Sequence, residues 1–117
     1  MPKYDSKPRV SFRKITEKAT YSKAARKKLV ELRAKLDGVA LIVRHAVATG
    51  RVPPSSSLDQ ALEAMEVNYA VAEAKLRSMQ KSGENDWEEQ RTQLESAWED
   101  LARSIKQLVA RFADSAS

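Results

Sequence analysis

The chain has 117 residues, enough for one small domain with one core. It contains no cysteine, so disulfides, thiolate nucleophiles and thiolate metal sites are excluded. The net charge of +5 is unevenly spread: residues 1–28 hold ten basic and two acidic side chains, a surplus of eight, and the rest holds eleven basic and fourteen acidic, a deficit of three.

Ala, Leu, Glu, Lys, Arg and Gln fill the long segments, and glycine occurs only at 38, 50 and 83. These are strong helix formers, so the expected class is all-α. No apolar run approaches the roughly 20 residues of a membrane span. The basic start has no apolar stretch behind it, as a secretory signal would. A cytoplasmic protein without membrane insertion is expected.

Residues 1–18 read as a basic extended arm, because Pro2 and Pro8 oppose an early helix and charges are dense. The arm is either a solvated tail or a segment that docks through Val10, Phe12 and Ile15. Residues 19–117 read as the helical body.

The first helix is expected over about residues 20–48, capped by Thr20 or Ser22. Leu29, Leu32, Leu36, Val39, Val43 and Ala46 recur at spacings of three and four, the pattern of a seam facing another helix. Residues 39–43 are apolar around nearly the whole circumference, so this helix should be covered from more than one direction. Glu31 and Lys35 stand four apart in the favourable order. Gly38 costs up to about 1 kcal/mol against alanine and suggests a close helix approach. Gly50 suits the C-terminal cap.

Pro53-Pro54 makes a stiff turn before the second helix, expected over about 57–81 with Ser57 and Gln60 at capping-box spacing. Leu58, Leu62, Met65, Tyr69, Ala72, Leu76 and Met79 form its seam. Val67, Ala70, Val71 and Ala74 form a second, thinner patch. Ser82-Gly83 ends it. The third helix is expected over about 86–113, started by Asn85 or Asp86. Trp87, Leu94, Trp98, Leu101, Ile105, Leu108 and Phe112 make its seam, and Glu99 stands four before Arg103.

Short turns between long helices predict an elongated antiparallel three-helix bundle, up-down-up and coiled-coil-like, about 40 Å per helix. The apolar excess on the first two helices predicts self-association, most simply a two-fold dimer. Its candidate residues are Leu41, Ile42, Val67, Val71 and Trp87. A tryptophan at a helix start can anchor an interface, although on one apolar face Trp87 and Trp98 also fit a core.

Catalytic parts are missing. His45 is the one histidine and has no carboxylate or second histidine at matching spacing. A di-metal bundle needs Glu-x-x-His, and residue 42 is Ile. Glu63 with Glu66 and Glu95 with Glu99 read as solvated charge. No glycine-rich phosphate loop exists. The chain reads as a non-enzyme with no cofactor and no metal.

Residues Asn85-Asp86-Trp87-Glu88-Glu89, Leu94, Ala97-Trp98-Glu99-Asp100-Leu101 and Arg111-Phe112 carry a resemblance. This segment resembles the C-terminal helix of short bacterial coiled-coil proteins of the stress-response type. Trp98-Glu99-Asp100-Leu101 is one residue longer than that family's tryptophan-aspartate-leucine element. The resemblance implies a bacterial helical hairpin without catalytic residues.

Three functions compete. The first is a self-associating protein–protein interaction or scaffold module whose basic arm contacts an acidic partner. The second is non-specific nucleic-acid binding through residues 3–28. Lys7, Arg9, Phe12, Arg13, Lys14, Lys23, Arg26, Lys27 and Lys28 are the candidate partner-binding residues. Tyr4, Phe12 and Tyr21 interleave with them in a pattern that fits stacking on single strands and equally fits docking on the protein's own bundle. The third is attachment to an anionic lipid surface.

Overall fold

The computed structural model describes residues 2–83 and 86–116, with side chains from Glu17 onward. The described residues form three helices: α1 (Pro2–Ala48), α2 (Ser56–Lys81) and α3 (Trp87–Ala116). No strand occurs among the described residues. Backbone is helical from Pro2, where an extended arm was expected through residue 18. Pro2 is compatible with a first helical turn, whose N–H would be unbonded in any case, whereas Pro8 lies inside the helix, where it removes one backbone hydrogen bond, and the helix runs through it. The side chains of Lys7, Arg9, Val10, Phe12, Arg13, Lys14 and Ile15 lie outside the described residues. At about 1.5 Å per residue, a 47-residue helix spans about 70 Å, and the longest dimension of the chain is 74 Å.

The helix ends follow local chemistry. Gly50 takes a left-handed φ of +78°. The Arg51 N–H then donates to the Ala46 carbonyl at 2.9 Å and the Gly50 N–H to Val47 at 3.1 Å. This is the Schellman closure, and glycine adopts its backbone without steric penalty. Val52 follows and is buried against the end of α1.

The cap of α2 is Ser55, not Ser57. Ser55 is extended (φ −150°, ψ 146°), and its hydroxyl accepts from the Leu58 N–H at 3.1 Å. The residue directly after Pro53-Pro54 already has the non-helical backbone an N-cap needs, so the helix starts there. At the other end the Ser82 hydroxyl donates to the Met79 carbonyl at 2.6 Å. The Lys18 ammonium of α1 donates to the Ser82 carbonyl, a cation at the negative end of α2. Asp86 starts α3, its carbonyl accepting from the Gln90 N–H at 3.2 Å. Asn85 lies outside the described residues.

Two apolar clusters line the bundle. One holds Leu36, Val43, Val52, Leu58, Met65, Leu101, Ile105 and Leu108. The other holds Leu29, Ala72, Leu76, Met79, Trp87 and Leu94. Leu32 and Tyr69 touch both and join them into one continuous core. The seams expected from three- and four-residue spacing supply nearly all of these residues. The buried polar Ser104 is satisfied: it donates to the Asp100 carbonyl at 2.9 Å and accepts from the Asn68 amide.

Two expectations about α1 change. Gly38 brings no element of this chain close, because a Cβ built there meets nothing within 4 Å. The apolar girdle at 39–43 is covered on one side only. Leu41 is 69% exposed and Ile42 60% exposed. The physical reason is that α2 and α3 both dock on the seam side, leaving the outer side of α1 without a neighbour.

Candidate functional site

Three surface features remain once the core is assigned. The first is an aromatic–cation cluster joining α1 to α3. Tyr21 lies 6.1 Å from the Trp87 ring centroid and 6.2 Å from that of Trp98. The Arg91 guanidinium lies 5.5 Å over both Tyr21 and Trp87, and the Lys28 ammonium 5.2 Å over Trp98. These are cation–π distances. The Tyr21 hydroxyl donates to Glu95 at 2.9 Å. Burial first, and then the Glu95 carboxylate, push the Tyr21 phenol well above the usual tyrosine range. Trp87 Nε1, Trp98 Nε1 and Arg91 Nε are enclosed without a hydrogen-bond partner among the described residues. Ring packing and cation–π contact therefore hold this cluster together.

Trp87, a candidate for self-association by its place at a helix start, lies in the core of this chain. It is only 2% exposed and belongs to the core beside Leu94, Met79 and Leu29. Its place at the start of a helix suggested exposure; α1 crosses it and removes that exposure.

The second feature is basic. Lys23, Arg26, Lys27 and Lys28 all lie on the exposed side of α1. Lys18, Ala19, Ser22, Lys23, Arg26 and Gln80 line a groove between α1 and the end of α2. No carboxylate lines it among the described residues. Lys28 is committed to Trp98 and Lys18 to Ser82, whereas Lys23, Arg26 and Lys27 form no ion pair among the described residues. Lys7, Arg9, Phe12, Arg13 and Lys14, grouped with them from the sequence, fall outside the described side chains.

The third feature is apolar. Leu41 and Ile42 line a recess with His45 and Arg51. Val67 is 52% exposed and Val71 42% exposed; four apart on α2, they share one face. Val30 and Val109 are also exposed. Single exposed apolar residues are ordinary, but adjacent pairs on two helices are a patch.

One member of each carboxylate pair has a structural partner, Glu66 in Arg33 and Glu95 in Tyr21. Glu66 accepts from Arg33 at 3.1 Å, and Arg33 also pairs with Asp37 at 3.0 Å and lies 5.0 Å over Tyr69. The Glu66 bond is the first cause of the raised Arg33 pKa. Arg103 pairs with Asp100 at 2.9 Å in place of Glu99, both being within one turn of it. Glu31 and Lys35 line a common recess but close no ion pair. Among the described residues no three His, Asp or Glu side chains gather as a metal site. No described helix is long and apolar enough to cross a membrane.

Comparison with protein-family models, characterised proteins and solved structures returns no match. The function has to be argued from these surfaces.

Proposed function

We propose that the chain is a non-catalytic helical interaction module that associates with itself through the uncovered faces of α1 and α2, on a bundle packed up-down-up with antiparallel neighbours. The carrying observation is the side-by-side exposure of Leu41 and Ile42, two large aliphatic side chains beside a core that is otherwise closed. Burying a leucine or isoleucine side chain gains about 1.5–3 kcal/mol, so a partner that covers both removes a substantial cost of leaving them in water. Val67 and Val71 offer a second face of the same chemistry. The antiparallel reading is supported by cross-helix contacts: Ser57 meets Arg111, Asn68 meets Ser104 and Lys75 meets Gln93, so residue numbers fall on α3 as they rise on α2.

Light scattering behind a sizing column tests the reading. The wild-type chain should elute as a dimer or larger assembly, stable to salt because the contact is apolar. Leu41→Glu with Ile42→Glu should give a monomer of unchanged helical circular dichroism. A monomeric wild type overturns the proposal. An unchanged mass for Val67→Glu with Val71→Glu removes α2 from the interface and leaves α1.

A further inference from the structure

The basic groove on α1 is independent of the apolar patches. We infer that Lys23, Arg26 and Lys27, with Ser22 and Gln80 beside them, bind the phosphate backbone of duplex nucleic acid without sequence preference. Four observations carry this.

First, these three cations are unpaired among the described residues, in a bundle where Arg33, Arg77 and Arg103 all hold carboxylates. Second, among the described residues every polar side chain on the groove wall can donate (ammonium, guanidinium, hydroxyl and amide), and Lys27 stands beside it in the next recess, which Lys28 and Lys35 share with Glu31. Phosphate oxygens are contacted by this same set of donors. Third, Lys23, Arg26 and Lys27 present three cations within about 6 Å along one side of the helix, close enough together to neutralise neighbouring phosphates of one strand. A linear polyanion uses such a row better than a small ion does, and ten basic side chains in residues 1–28 extend the attraction along the same helix.

Fourth, the neighbouring rings are occupied. Tyr21 is packed against Trp87 and Trp98 and bonded to Glu95. Stacking on unpaired bases, which single-strand binding uses, is therefore closed to Tyr21. Of the two readings the sequence leaves open for Tyr21, stacking on single strands or docking on its own bundle, the packing matches the second. A lipid surface fits less well: Ala25 and Leu29 are buried in the bundle, and Val30 is the one large apolar side chain exposed beside these cations among the described residues, too little to anchor the helix in a bilayer.

The test is fluorescence anisotropy of a labelled DNA duplex of mixed sequence with the full chain, from low to moderate salt. The wild type should bind, with affinity falling linearly on a double-logarithmic salt plot. Lys23→Gln with Arg26→Gln and Lys27→Gln should make that slope shallower by about 3, since each phosphate contact contributes about 0.9. Arg103→Gln with Lys106→Gln and Arg111→Gln changes the net charge equally at exposed positions of α3 and should leave the slope within about 1 of wild type. Each single groove variant should lower the slope by about 0.9, so the proposal stays testable if the triple variant folds poorly.

An unchanged slope in the groove variants, or an equal loss in the control, overturns the assignment. So does tighter binding to the matching single strand, to anionic vesicles, or to polyglutamate at equal charge. These outcomes are read on the groove and leave the self-association result untouched.

Discussion

The Tyr21 hydroxyl donates to the Glu95 carboxylate at 2.9 Å, and this bond crosses from α1 to α3. It sits where the two helices also share the Trp87, Trp98 and Arg91 contacts. A partly buried phenol beside a carboxylate resists losing its proton, and that makes α1 docking sensitive to alkali.

The folded chain holds Tyr21 protonated above its ordinary value of 10.0, while the unfolded chain releases the proton near it. The contribution of Tyr21 is therefore complete below about pH 10 and is lost as pH rises from there toward the folded value. Urea unfolding across alkaline pH should show stability falling beyond that point. Tyr21→Phe should cost under about 1 kcal/mol near neutral pH, because the lost bond is largely solvent-accessible. The same variant should flatten the alkaline decline; an equally steep decline would assign it to another group.

One substitution should have opposite signs at two glycines. Gly38 lies in a helix interior with open space where a Cβ would stand. Gly38→Ala should raise stability by about 0.5–1 kcal/mol through the unfolded state and helix propensity. Gly50 has φ +78°, so Gly50→Ala should destabilise by about 1 kcal/mol or more despite equally open space. Thermal melting of the two variants separates backbone conformation from crowding.

Capping at the start of α2 gives a third comparison. Ser55→Ala removes the acceptor for the Leu58 N–H and should cost about 1 kcal/mol. Ser57→Ala removes only an exposed bond to Arg111 and should stay within about 0.5 kcal/mol. Equal costs in denaturant melts would place the cap at neither serine alone.

The sequence by itself determined three helices, their turns and most of their buried seams. Its spacing of three and four selects the residues of each helix that face a neighbour, and Gly50, Pro53-Pro54 and Ser82-Gly83 mark the breaks through backbone chemistry alone. These signals are local, so they need no knowledge of neighbours. Tertiary structure alone decided which apolar residues stay uncovered. The spacing puts Val43 on the seam and Leu41 off it, but that no helix of this chain covers Leu41 among the described residues depends on where α2 and α3 dock. Docking likewise enclosed Trp87, occupied Tyr21 with Glu95 and the two tryptophans, and drew Lys18 and Lys28 out of the basic row into structural bonds. A row of like residues becomes a surface only after the fold has used the members it needs.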